Sequence, residues 1–260
     1  MTFLKDNPYR PVWESMENLK PKPRHPGKII KADYSDFREK VLSRDPSFAD
    51  KIVRSFYQGD VYVLKHAFAA RRMADLKNTV RDYGRKIPGS FHKIIEGCPD
   101  FHRGIDENLA KNYKVKMVKH SYYFFPWNGD PLGLFSLTRE LWGTLKFLGG
   151  FKYEEYERNT PKDGIVDRLQ VIHYPSGAGM GEIHSDPYLY QRLFISVIMS
   201  RRGKDYQSGG IYLVDENNAH VDLEPELEPG DVYAGYGTLL HGIDVVDKGR
   251  AVNWNSPQGR

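Results

Sequence analysis

A chain of 260 residues with a net charge of +4 and 40% hydrophobic residues is long enough for one large domain, supplied for a core, and only mildly basic. Basic residues occur as isolated pairs, such as Arg71-Arg72 and Arg201-Arg202, rather than as a stripe interleaved with aromatics, so no nucleic acid is expected as a partner. Cys98 is the only cysteine, which excludes an intrachain disulfide and a cysteine-rich zinc site. With no apolar leader region near Met1 and no membrane-length apolar run, a cytoplasmic protein without a membrane partner is expected.

Residues 1–30 are polar and carry Pro8, Pro11, Pro21, Pro23 and Pro26, which reads as an extended arm. Apolar residues at three-to-four spacing predict helices over 47–57 and 68–83, with Val61–Leu64 a short strand between them. Residues 85–112 read as irregular, and the polar loop Asp100-Phe101-His102-Arg103-Gly104 as a possible lid. A strand is expected over 115–125, then a turn at 126–131. The next helix, over 132–148, places Leu134, Leu137, Leu141, Leu145 and Leu148 on one side and stops at Gly149-Gly150. From about residue 165 short β-type runs alternate with turn residues: 166–174, 193–200, 210–214, 220–223, 231–234 and 250–254. That texture predicts a barrel or sandwich, with the preceding helices buttressing one of its faces.

Within the β region, His184 and Asp186 stand two residues apart in Gly181-Glu182-Ile183-His184-Ser185-Asp186. On a strand such residues point the same way, aiming an imidazole and a carboxylate at one point. His241, in Leu239-Leu240-His241-Gly242, is the natural third ligand. Two histidines and one carboxylate on one face leave coordination positions open, which suits a redox-active ferrous ion that must accept further ligands. Arg250 follows His241 by nine positions and is expected on the next strand, where its guanidinium can grip a carboxylate in the same cavity. Tyr174, in His173-Tyr174-Pro175, is expected to hydrogen-bond that carboxylate.

His173-Tyr174-Pro175, the glycine-rich turn to Gly181, His184-x-Asp186, Ser208-Gly209-Gly210, Asp231 after Pro229-Gly230, His241 and Arg250 together resemble the catalytic half of the prolyl-hydroxylase-like branch of the 2-oxoglutarate/Fe(II) dioxygenases. The resemblance covers residues 168–254. It implies a mainly β fold with N-terminal helices, whose double-stranded β-helix (jelly-roll) core they support. One domain would span residues 1–260: the arm over 1–30, helical support and substrate-side elements over 31–160, and the catalytic core over 161–260. It further implies His184, Asp186 and His241 as Fe(II) ligands, Arg250 and Tyr174 on the distal carboxylate of 2-oxoglutarate, O2 as co-reactant and ascorbate as a reductant. The tyrosine that many prolyl hydroxylases carry late on the strand after His-x-Asp has no match; Met199 or Ser200 falls there. No substrate-ordering C-terminal helix, as some relatives have, is expected beyond Arg260.

The implied reaction converts 2-oxoglutarate to succinate and CO2 and hydroxylates a second substrate. Asp186 favours hydroxylation over halogenation, because related halogenases have a small residue there to admit chloride. Alternation along the strand that ends at Tyr174 sets Ile172, Gln170 and Arg168 on one inward face. With Arg192, Arg168 and Gln170 are candidates for gripping a small polar or anionic substrate. Elsewhere, His120, Tyr122 and Phe124, or Tyr123 and Phe125 on the opposite face, are candidates for flanking the mouth. The expected substrate is a small metabolite such as an amino acid or natural-product intermediate; a prolyl-type protein hydroxylase, a nucleic-acid demethylase and a non-catalytic jelly-roll binding protein are the alternatives.

Overall fold

The computed structural model describes residues 7–19 and 21–260. In chain order the elements are α1 (Tyr9–Glu17), β1 (Ile29–Asp33), α2 (Tyr34–Leu42), α3 (Pro46–Tyr57), β2 (Val61–Lys65), α4 (Ala70–Lys86), β3 (Phe101–Ile105), α5 (Glu107–Ala110), β4 (Met117–Phe124), α6 (Leu134–Leu148), β5 (Leu169–His173), β6 (Met180–His184), β7 (Leu193–Val197), β8 (Gly210–Val214), β9 (His220–Asp222), β10 (Val232–Tyr236) and β11 (His241–Asp244).

The first departure from the sequence reading is α1. Residues 1–6 of the expected arm lie outside the described residues, but 9–17 are helical rather than extended. Pro8 and Pro11 permit this because first-turn amides have no intrahelical acceptor, so proline there removes nothing the helix needs. Tyr9, Trp13 and Met16 then fall on one buried face. Trp13 stacks on Tyr236 with ring centroids 5.4 Å apart and donates its indole N–H to the Leu148 carbonyl at 2.7 Å. Asp33 and Asp45 cap α2 and α3 through the amides of Ser35 and Ser47, and Pro46 opens α3.

The strands form two sheets. One has the order β1-β2-β10-β7; the other runs β3-β4-β6-β11-β8-β9, with β5 also paired to β4. The pleat divides each strand between two environments. Val61, Val63, Phe194 and Tyr233 of the first sheet meet Ile172, Ile211, Leu213 and Ile243 of the second in one buried cluster between the sheets. The alternate residues Tyr62, Leu64, Leu193, Ala234 and Tyr236 face outward and are covered by α1, α2, α3 and α6. On the second sheet, Tyr122, Phe124, Leu169 and Val171 pack against Met73, Leu76 and Val80 of α4. Helices thus cover both outer faces, and the space between the sheets belongs to the site.

Two further expectations change. Residues 101–105 are not a lid but the strand β3, paired with β4 from Phe101↔Tyr123 to Ile105↔Lys119. Residues 250–254 form no strand. Asp247 and Gly249 have positive φ and turn the chain out of the sheet, and a second turn follows at Asn253, whose side chain accepts the Asn255 amide. The strand-like pairing comes later: Gly259 bridges Pro175, and Tyr174 and Arg260 exchange both backbone hydrogen bonds, at 2.7 and 3.0 Å.

Candidate metal centre and its cavity

His184 ends β6 and His241 begins β11, and the two are cross-strand partners. Asp186 lies just beyond β6, where its amide donates to the Gly237 carbonyl at 2.8 Å and fixes the backbone that carries the carboxylate. The three side chains converge: the His184 and His241 rings are 4.4 Å apart between centroids, and the Asp186 carboxylate lies 4.0 Å from His184 Nε2 and 3.8 Å from His241 Nε2. One ligand atom from each lies within 4.8 Å of the others, close enough to share one ion.

The outer nitrogens decide what this cluster can do. His184 Nδ1 donates to the Glu182 carbonyl at 2.8 Å, and His241 Nδ1 donates to the Leu239 carbonyl at 3.0 Å. A carbonyl can only accept, so Nδ1 holds the proton and Nε2 of each ring is a bare lone pair aimed at the shared point. Burial pushes His241 below the ordinary imidazole range, against the pull of Asp186, which keeps the ring neutral as a ligand must be. Two neutral imidazoles and a single carboxylate on one side, with the opposite side free of further ligating groups among the described residues, fit an open-sided divalent transition metal better than a closed structural site.

Behind the triad the cavity runs between the sheets. Tyr174 is buried, and its phenol feels both Arg260 and Asp186; burial raises its pKa, so it is a neutral hydroxyl. Arg260 is aligned with Tyr174 by their backbone pair. Its guanidinium is largely buried, its Nε ion-paired to the buried carboxylate of Glu224, while its Nη2 is buried with no protein partner among the described residues. Tyr233, on β10, lies against the same guanidinium and Ser196. Glu224 is set by the Ile211 amide at 2.8 Å. Gly209 and Gly210 make room there: a Cβ on Gly210 would lie 2.4 Å from the Glu224 carboxylate, and one on Gly209 2.3 Å from the Val245 carbonyl.

The substrate-side residues separate into two groups. Gln170 faces inward as expected, donating to Ser121 Oγ at 3.0 Å. Arg168 stands at the open end of the same face, exposed, with its guanidinium 5.4 Å from the Tyr123 ring centre. On β4 it is Tyr123, not Phe124, that shares this inner face, since Tyr122 and Phe124 pack on α4. Arg192 is elsewhere. Its guanidinium is bound to both oxygens of Glu17 at 2.7 and 2.9 Å and to the Gly149 carbonyl at 2.6 Å, over the rings of Trp13 and Phe151. It fastens α1 to the end of α6, and each of its three nitrogens is already engaged there rather than in the cavity. Arg250 is also displaced. It sits in the turn after β11 with a half-exposed side chain, 3.9 Å from Asp247. The reason is the early chain reversal at Asp247, whose buried carboxylate accepts from the Gln207 and Ser208 amides and from Ser176.

Lys119, Tyr233 and Arg260 lie in the cavity without having been singled out by sequence. Lys119 had a readable signal, the one Lys or Arg of the strand, sharing the two-residue alternation of Ser121 and Tyr123. Arg260 had little, because a spacing count from His241 reaches Arg250 first.

No protein-family model matches the chain, and no curated protein matches it either. Solved structures do. A 2OG-Fe(II) oxygenase family protein from Caulobacter crescentus superposes with a TM-score of 0.50 over 84% of this chain and 81% of its own, at 13% identity. A prolyl-4-hydroxylase from Pseudomonas putida gives a TM-score of 0.41 over 72% of this chain and 86% of its own, at 12% identity. The fold is therefore the jelly-roll of the 2OG-Fe(II) oxygenase structures with helices added before it, and it carries a His-x-Asp…His cluster.

Proposed function

We propose that this protein is an Fe(II)- and 2-oxoglutarate-dependent oxygenase that hydroxylates a small polar metabolite, releasing succinate and CO2. The observation that carries the reading is the orientation of the two imidazoles. Each has its Nδ1 proton committed to a carbonyl and its Nε2 lone pair turned toward Asp186. A histidine with a merely structural role has no reason to leave its second nitrogen unpaired beside a carboxylate and another such histidine. Iron held by His184, Asp186 and His241 would supply O2 activation coupled to oxidative decarboxylation of the cosubstrate, with ascorbate keeping the metal ferrous.

The chain's own residues would do the binding and positioning. Tyr174 and the free Nη2 of Arg260 supply two donors, one neutral and one charged, at the buried end of the cavity. That pair suits a carboxylate, because charge-assisted donors in a site shielded from water hold it firmly and in one orientation. In this reading Arg260 takes the role expected of Arg250, and Glu224 holds its guanidinium in place. The inner faces of Phe194 and Ile243 keep bulk water from the metal side. Asp186 occupies the position that would otherwise admit a halide, which favours hydroxyl transfer.

The test is succinate formation by purified protein supplied with Fe(II), 2-oxoglutarate and O2, since such enzymes slowly turn over the cosubstrate alone. Succinate formation dependent on all three components, and abolished in His241→Ala, is expected. Equal rates in the wild type and His241→Ala would overturn the assignment.

A further inference from the structure

We infer that the second substrate is a carboxylate-bearing small molecule whose anionic group is held inside the cavity by Lys119, after passing Arg168 at the mouth. This inference rests on the oxygenase reading and names its substrate class.

Lys119 lies on β4 in register with Ile105 of β3, and its alternation places it on the same face as Ser121 and Tyr123. Continuing the β4–β5 register beyond His120↔His173 sets it beside Tyr174. Lys119 is partly buried and its ammonium opens into the cavity, within the field of Asp186 on one side and Arg168 on the other. Among the described residues it has no hydrogen-bond acceptor and no carboxylate within 4 Å, and the same holds for Arg168. Even partial burial of a lysine without a partner is costly, because the ammonium loses part of its hydration. Here the cost is visible: burial first, then repulsion by Arg168, pulls Lys119 down to about 8, still mostly protonated at neutral pH. A lone cation kept in this state inside a cavity is a group waiting for an anion.

The cosubstrate does not account for it. Two neutral histidines, Asp186 and a ferrous ion together carry one positive charge, which a 2-oxoglutarate dianion reverses. Arg260 and Glu224 cancel each other. Lys119 and Arg168 then leave the loaded cavity with one positive charge unbalanced, which a monoanion neutralises and a phosphate dianion overshoots. The arrangement is graded along the cavity: Arg168 is exposed on its aromatic support, and Lys119 is deeper and closer to the metal. An exposed cation at a mouth draws an anion in, and a partly buried one holds it where water competes less.

The test uses protein loaded with Zn(II), which is redox-inert, and 2-oxoglutarate. A panel of small aliphatic, aromatic and amino carboxylic acids, each matched with its own primary amide, is screened for binding by ligand-observed NMR. Acids should bind in preference to their amides. Lys119→Gln should weaken the bound acids at least about tenfold, and Arg168→Gln several-fold, while the Kd for 2-oxoglutarate moves less than about threefold. Arg168 is at the surface, so its variant reports even if Lys119→Gln folds poorly. Equal binding of acids and amides, no acid bound at all, or a loss of 2-oxoglutarate affinity in Lys119→Gln as large as the loss of acid affinity would each overturn the inference. If Zn(II)-loaded protein does not bind 2-oxoglutarate, the oxygenase reading fails by itself; the acid-over-amide comparison is then made with Zn(II) alone, and its dependence on Lys119 still decides the anion site.

Discussion

At the scale of single residues, hydrogen bonds to backbone carbonyls turn three common side chains into a metal-binding group. The Glu182 and Leu239 carbonyls engage Nδ1 of His184 and His241, so each ring turns Nε2 toward the shared point. The same logic separates the two arginines. Arg260 keeps one buried nitrogen free, whereas Arg250 is half in water. Arg260→Lys retains a charge for Glu224 but loses the planar fork, so the KM for 2-oxoglutarate should rise about tenfold. Arg250→Gln should leave it within about twofold; steady-state succinate assays on both variants check this, and the opposite ranking would restore Arg250 to the site. His120 offers a second test at this scale. It lies on the outer face of β4, 2.8 Å from His102 Nδ1, and burial, then the neighbouring His102 and His173, pulls its pKa down to about 4. The unfolded chain takes up that proton near pH 6.5 and the folded one resists until about 4, so this site contributes a loss of stability as pH falls between those values. Urea midpoints between pH 7 and 5 should fall less steeply in His120→Gln than in the wild type; parallel slopes would show that another group titrates instead.

At the scale of elements, the local rules that predict helices and strands succeed where a segment's own pattern decides its structure. The leucine stripe of α6, the Asp-capped α3 and the short β-type runs between turn residues that became β5, β8 and β10 were readable for that reason. They fail where a distant partner decides. The proline-rich start becomes α1 because Trp13 and Tyr9 find a pocket against Tyr236 and Phe147. The stretch 250–254 looks β-like, yet the turn built on Asp247 moves the pairing on to residues 258–260. Arg192 belongs to this scale, as a clasp between α1 and the end of α6. Arg192→Ala would leave Glu17 unpaired in a largely buried place and should cost about 3 kcal/mol in urea unfolding, with the KM values for both substrates unchanged. A raised substrate KM with unchanged stability would return Arg192 to the site.

At the scale of the whole molecule, the second sheet brings β6 and β11 side by side, so ligands distant in sequence become cross-strand neighbours. The metal triad was legible because its chemistry is written in residue types and a two-residue spacing. The interior cations were less so, since which face of β4 is inner depends on where α4 packs, and which arginine enters depends on a turn. Among the described residues no helix is long and apolar enough to cross a membrane. If the oxygenase reading holds, this cavity binds iron and 2-oxoglutarate together. Anaerobic titration of the Fe(II)-loaded protein with 2-oxoglutarate, followed by visible absorption, reports on both at once. A weak metal-to-ligand charge-transfer band is expected that saturates with the cosubstrate, vanishes in His184→Ala and needs more 2-oxoglutarate in Arg260→Lys. A wild-type protein that binds Fe(II) but develops no such band, at any concentration of 2-oxoglutarate, would contradict it.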